Sequence, residues 1–206
     1  MDDAELLHAW RAGDAAAGQR LVKRHFGPVY GFFRNKVRTG VEDLVQRTFL
    51  HCVESRDAFR GEASFRAYVF GIARNVLYAH YRDRKIDVDT ASTSMALEDE
   101  GAGPRTILDK RREHRLLVRA LRQQPLDDQI ALELFYFEEL KGRELAVVLG
   151  VPEGTVRTRL RKARSQLEAT IAELDRAGEG ARATTENIDQ WVVSLRDVIR
   201  SEGLRD

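Results

Sequence analysis

The chain has 206 residues, of which 33% are charged and 43% hydrophobic, and a formal net charge of +1. That length accommodates one large or two small domains with buried cores. No apolar run approaches the ~20 residues of a membrane span, and a lone Cys52 excludes an internal disulfide or a cysteine-based zinc cage. The N-terminus, MDDAELLHAW, is acidic and lacks the basic-then-apolar pattern of a signal peptide. A reducing, cytoplasmic setting is therefore expected, with no membrane insertion. The near-neutral total conceals a partition. Residues 1–85 carry an excess of cations and 86–108 an excess of anions, whereas the remainder is close to balanced. Nucleic-acid footprints are local, so this distribution matters more than the sum.

Residues 1–85 read as helical throughout. Leu6, Leu7 and Trp10 form one face before a turn at Ala12 to Asp14. Leu21, Val22, Phe26, Val29, Tyr30 and Phe33 continue on a second helix pair, punctuated by glycines and Pro28. Val41 to Val53 gives a third element, with Leu44, Val45, Thr48, Phe49 and Cys52 at helical spacing. Gly61 then supplies a loop and Ser64 an N-cap, whose hydroxyl accepts from a free helical N–H. The helix that follows buries Phe65, Val69, Ile72, Ala73 and Val76. It also carries Arg66, Tyr68, Phe70, Arg74, Asn75, Tyr78, Tyr81, Arg82, Arg84 and Lys85. Aromatics interleaved with arginines suit single-stranded nucleic acid, because each base offers a face for stacking while cations track the backbone. Taken singly, each of these aromatics reads equally as a core residue of a helical bundle.

Residues 86–109 have no sustained periodicity and set several carboxylates against the single Arg105, the composition of a mobile acidic linker. From Lys110 the helical pattern resumes. Leu116, Leu117, Ala120 and Leu121 form one helix, ended before Pro125; Ile130, Ala131, Leu134, Phe135, Phe137 and Leu140 form the next. Phe135, Tyr136 and Phe137 read as core and flank, since nothing basic accompanies them in the sequence.

Lys141 to Leu167 is the most informative stretch. Leu145, Ala146, Val148 and Leu149 make a short apolar face. Gly150 stops that helix by reaching a positive φ without a Cβ clash, and Pro152 suits the first turn of a new one. Apolar residues then fall at Val156, Leu160, Ala163, Leu167, Ile171 and Leu174, the stripe of one buried helical face. The other face carries Thr155, Arg157, Thr158, Arg159, Arg161, Lys162 and Arg164. Between Pro152 and Arg164 there are five cations and only Glu153 as an anion, whereas solvated helices interleave the two signs. A tight glycine turn leading into a basic second helix is the pattern of a helix-turn-helix whose recognition helix enters a DNA major groove.

The runs VEDLVQRTFL, AFRGEASFRAYVFGIARNVL and LELFYFEELKGRELAVVLGVPEGTVRTRLRKARSQL together resemble the sigma factors of bacterial RNA polymerase. The likeness is strongest to the compact extracytoplasmic-function (ECF) group, which keeps only regions two and four. It spans Leu6 to Leu174, with three motifs in order. The resemblance implies core RNA polymerase and promoter DNA, both duplex and melted, as partners. It assigns Asp43, Leu44, Gln46, Phe49 and Leu50 to the helix that docks on the polymerase clamp. Phe59, Arg60, Gly61, Ser64 and Phe65 match the segment that captures an extruded base of the minus-ten element, and Arg74, Asn75, Tyr81 and Arg82 the basic helix beside it. Thr155, Arg157, Thr158, Arg159, Arg161, Lys162 and Arg164 face the minus-thirty-five element. The acidic linker corresponds to a segment that threads toward the polymerase active-site cleft. The chain departs from the family at two places. Arg47 replaces an acidic residue, and Lys141–Gly142 replace a Ser-Tyr pair, which leaves Glu144 as half a capping box and predicts a frayed helix start.

The expected architecture is all-α. Two small helical domains, 1–85 and 110–175, are joined by a flexible acidic linker, 86–109, and the second carries the helix-turn-helix. A C-terminal extension, 176–206, follows as an amphipathic helix. Its apolar stripe is Ile188, Trp191, Val192, Leu195, Val198 and Ile199, with Gly203 as a stop. The compact family members end near Leu174. Such a stripe folds back on the chain's own modules or binds an external partner, and from the sequence both stay open. No nucleophile–base pair, phosphate-binding glycine loop or metal-ligand spacing supports catalysis, a cofactor or a metal. A helix-turn-helix regulator that never joins polymerase, and an adaptor acting through its tail, are the competing functions. Whether a separate anti-sigma factor exists is not written in the sequence.

Overall fold

The computed structural model describes residues 1–59, 61, 63–85, 105–176 (105–112 as backbone), 188–193 and 196, and every regular element among them is helical. In chain order these are α1 (Asp3–Arg11), α2 (Ala15–Arg34), α3 (Val41–Ser55), a 3-10 turn (Arg56–Ala58) and α4 (Phe65–Asp83). They are followed by α5 (Arg105–Arg122), α6 (Leu126–Tyr136), α7 (Arg143–Leu149) and α8 (Glu153–Arg176). Residues 188–193 add a last helical segment. No helix among the described residues is long and apolar enough to cross a membrane.

Local chemistry sets the helix starts. Asp2 and Glu5 cap α1 reciprocally, each carboxylate accepting the other's backbone N–H at 2.9 and 2.7 Å. Asp14 accepts from Ala16 and Ala17 at the start of α2, and Ser64 accepts from Ala67 at the start of α4, as its position in the sequence predicts. α7 begins at Arg143 with no side-chain cap, because Gly142 has none to offer. Gly150 ends it in the left-handed conformation, at φ 66°. Pro152 stands just before α8, not within it, its carbonyl accepting from Thr155 and Val156.

The first compact unit gathers α1 to α4, together with α7 and the start of α8 up to Val156. The second helix pair expected between residues 15 and 34 is a single helix, α2, which runs through Pro28. Burial of Leu21, His25, Val29, Phe32 and Phe33 along one side outweighs the hydrogen bond lost at the proline. Gly18 is a contact glycine, not a break: a Cβ there would lie 2.5 Å from the Trp10 indole nitrogen. Leu44, Cys52, Val69, Phe70 and Leu77 complete the core. Burial pushes the Cys52 thiol up to about 12, so it behaves as a small hydrophobe.

The second unit gathers α5, α6, α8 from Arg157 onward and the C-terminal segment. α5 starts at Arg105, inside the stretch read as linker. Its Leu116, Leu117, Ala120 and Leu121 share one core with Leu132 and Tyr136 of α6, and with Ala163, Leu167, Ile171 and Leu174 of α8. Trp191 and Val192 complete that core, so the tail folds back on the chain itself. Leu195, Val198, Ile199 and Gly203 lie outside the described residues.

Replacing Gly18 by Ala forces the Trp10 ring off α2, an overpacking cost of ~1–3 kcal/mol. A lowered thermal midpoint with unchanged helical content checks this; an unchanged midpoint refutes it.

Candidate nucleic-acid and polymerase interfaces

Three surfaces carry the residues singled out in the sequence. On α3, Asp43, Gln46 and Leu50 are exposed, Leu50 by 53%. Leu44 is fully buried and Phe49 nearly so, so the structure corrects these two to the core that supports the surface. The 3.6-residue period explains it: positions 44 and 48 face inward, whereas 43, 46, 47 and 50 face out. Arg47 closes an ion pair with Asp43 at 2.9 Å, both partners more than half exposed. Such a pair adds little stability, but it neutralises the acidic character of this face. The sequence reading missed Phe26 and Val53. Both are exposed large hydrophobics, and they line a groove of about 600 Å³ with Trp10, Gly18 and Val22. Phe26 stacks on Phe49 at 6.4 Å, tying the groove to α3.

The second surface surrounds Phe59. Its half-buried ring packs on Tyr68 at 4.7 Å and edge-on against Phe65 at 6.3 Å. Arg11 donates to the carbonyls of Arg56 and Phe59 and lies 6.0 Å from the Phe59 ring centre. Tyr68 donates to the Ser55 carbonyl at 3.0 Å. Arg11 lies 48 residues from Phe59, so no local pattern could have revealed it. Gly61 and Ser64 are exposed, as are Asn75 and Arg82, whereas Arg74 is half-buried over the Tyr78 ring at 4.6 Å. Arg60 lies outside the described residues. Tyr81 is corrected to the core: its ring is buried and its hydroxyl donates to the Lys36 carbonyl. Phe65 is likewise buried, forming the floor beneath Phe59 and Tyr68.

His25 abuts this floor, its ring 5.4 Å from Phe65. Its Nε2 faces the Asp3 carboxylate at 2.7 Å, and among the described residues its buried Nδ1 has no hydrogen-bond partner. Burial lowers the His25 pKa, with Arg66 and Arg24 adding to it, and this outweighs the pull of Asp3. Asp3 is itself driven up by burial, yet it ends below the usual range through Arg24 and His25.

The third surface is α8. Thr155, Arg157, Thr158, Arg161 and Lys162 are exposed. Arg159 and Arg164 are not simply outward-facing, which the even spacing of cations in the sequence could not show. Arg159 reaches the first turn of α6, pairing with Asp127 at 3.0 Å and Asp128 at 3.7 Å. Arg164 lies over the rings of Phe135 (4.7 Å) and Tyr136 (5.6 Å) and pairs with Asp189 of the C-terminal segment at 3.5 Å. The expectation that nothing basic accompanies these aromatics is thereby overturned, because the cation arrives from another helix. Among the described residues no group of three His, Cys, Asp or Glu side chains is placed to hold a metal ion.

Two expectations follow. Leu44→Ala removes buried packing and costs ~2–5 kcal/mol, whereas Leu50→Ala stays within ~0.5 kcal/mol; urea denaturation separates them. As pH falls below the ordinary 6.5 of histidine, the unfolded chain takes a proton at His25 that the folded chain resists. Stability therefore declines below that pH, and Asp3 adds a further loss once its carboxyl protonates at lower pH. Thermal midpoints across the acidic range are expected to fall less in His25→Gln than in the parent.

Residues 21–86 match the family model described as Sigma-70 region 2, and residues 114–167 match Sigma-70, region 4. The chain is 28% identical over 187 residues to the ECF RNA polymerase sigma-E factor of Escherichia coli K12, covering 85% of this chain and 97% of that protein. It is 29% identical over 185 residues to the protein of the same name from Haemophilus influenzae, covering 84% and 97%. Among solved structures, CnrH in complex with the cytosolic domain of CnrY shares the fold, with a TM-score of 0.62 at 24% identity, covering 83% of this chain and 97% of that one. The sigma factor RpoE in complex with the anti-sigma factor NepR from Bartonella quintana shares it with a TM-score of 0.56 at 22% identity, covering 77% and 98%. With both sigma-70 regions matched in order on one helical chain, this protein belongs to the sigma factors of bacterial RNA polymerase, in the ECF group.

Proposed function

We infer that this chain binds core RNA polymerase and directs it to promoters, supplying recognition while the polymerase supplies the chemistry. The observation that carries this is the pairing of region two and region four on one chain. A regulator that binds only duplex DNA has no use for the first.

At the level of residues, the exposed edge of α3 (Asp43, Gln46 and Leu50), with the neighbouring Phe26 and Val53, forms the polymerase-binding face. Its exposed apolar side chains lose unfavourable contact with water when a partner helix covers them. Phe59 and Tyr68, on their Phe65 floor, receive an unstacked base of the minus-ten element. Gly61 and Ser64 frame that pocket, with Arg74, Asn75 and Arg82 along the strand. A base that gains a pocket offsets the few kcal/mol of stacking lost on strand opening. Arg157, Thr158, Arg161 and Lys162 meet the duplex minus-thirty-five element, where a bidentate arginine–guanine contact discriminates by ~1–3 kcal/mol. Residues 1–85 thus serve polymerase and minus-ten binding, and 110–175 the upstream element.

The test is transcription with core polymerase on a pool of genomic fragments, followed by mapping of the RNA 5′ ends. The chain is expected to create defined start sites preceded by shared upstream sequences, and to be retained by immobilised core polymerase. Random ends and no retention would overturn the reading. Phe59→Ala is expected to lose initiation on duplex templates yet regain it on a template with a pre-melted bubble. Equal defects on both would make Phe59 a structural residue only.

A further inference from the structure

The C-terminal segment lies beyond the region-four match, which ends at residue 167, yet it is tied into the second unit by polar contacts as well as apolar ones. Trp191 and Val192 are buried in its core, and the Trp191 indole donates to Glu113 at 3.1 Å. Arg196 donates to the Tyr136 carbonyl at 3.3 Å and to Glu139 at 2.6 Å. These contacts seat Asp189 beside α8, where its carboxylate accepts from the Tyr136 hydroxyl and pairs with Arg164. Arg157, Arg161 and Arg164 fall on one stripe of α8. Together with Ile188 and Asp189 they line a groove of about 530 Å³. The tail therefore forms a wall of a cleft whose opposite wall belongs to the DNA-facing helix.

We propose that Asp189 is an intramolecular competitor for DNA phosphate at Arg164, which makes the tail a built-in restraint on the grip of α8. An arginine beside a duplex gains a charge-assisted contact to a phosphate oxygen and releases a counterion. In this chain Arg164 reaches a phosphate only by leaving Asp189, and the carboxylate that stays behind, held by Tyr136, repels the strand. The aromatic pair beneath Arg164 keeps the guanidinium at the groove, so that the exchange needs a short swing of the side chain and no unfolding of the tail. The proposal rests on the reading of α8 as the duplex-binding helix.

The experiment is a salt series of binding isotherms for the full chain with a short fluorescein-labelled duplex of arbitrary sequence. Asp189→Asn keeps the shape and an acceptor for Tyr136 but removes the charge. One additional phosphate contact steepens the log–log salt slope by ~0.9 and tightens binding about eightfold near 0.1 M salt. This gain is expected to vanish when Arg164→Ala is combined with Asp189→Asn, as a coupled pair requires. Asp189→Ser, which also removes the charge, repeats the test should the asparagine variant lose its thermal transition. Unchanged or weaker binding by the charge-removed chain overturns the proposal, as does a gain that survives without Arg164. Arg157→Ala in the same titration tests the underlying reading. If it weakens binding while Asp189→Asn has no effect, only the competition fails. If it leaves binding unchanged, α8 is not the duplex-binding helix and the competition falls with it.

Discussion

Everything functional in the second unit depends on a division of labour around one helix. α8 commits Ala163, Leu167, Ile171 and Leu174 to a core shared with α5, α6 and the tail. At 3.6 residues per turn, that commitment fixes the direction of every other side chain on the helix. Arg157, Arg161 and Lys162 are presented outward because the intervening positions are held inward. The same rotation brings Arg159 to the carboxylates at the start of α6 and Arg164 to the rings near its end. Cations evenly spread along the sequence thus become three populations: outward-facing, pinned and shared.

The first unit applies the same logic to aromatics. Phe33, Phe65, Phe70 and Tyr81 are consumed by the core, and that consumption leaves Phe59 and Tyr68 at its edge. The base-capturing role proposed for Phe59 needs a rigid floor as well as an accessible ring, because an aromatic that is free to collapse offers no preformed face. The Phe65 floor, with Arg11 bracing the backbone at Arg56 and Phe59, supplies that rigidity. Core and site are therefore one aromatic cluster seen from two sides.

The family assignment and the tail belong to different layers of the molecule. Both sigma-70 regions are matched, with the upstream limit of the second at residue 114 and its end at 167. The C-terminal segment, beyond that match, inserts Trp191 into the core of the second unit. Its polar residues are placed where they meet α8 and α6. In the competition proposed for Asp189, this segment changes the electrostatics beside α8 without altering the helix's own residues.

The sequence by itself determined the all-helical class, the helix-turn-helix, the Ser64 and Gly150 boundaries and the apolar stripe of α8. Those features follow from period and from local cap chemistry, both written in neighbouring residues. It also carried the family likeness, because the motifs are contiguous. What only the tertiary structure decided is which member of each pattern faces water. Leu44 and Leu50 are the same residue type on one helix, and only the packing of α2 and α4 on α3 separates a core leucine from a surface one. Tyr81 matched the basic helix beside the minus-ten segment by resemblance, yet its buried hydroxyl donates to the Lys36 carbonyl, 45 residues away. α2 stayed whole across Pro28 because burial along its length outweighed a local break. Arg11, Asp189 and Arg164 acquired their roles through contacts between segments distant in sequence. Such contacts form only when the core closes, and no local pattern records them.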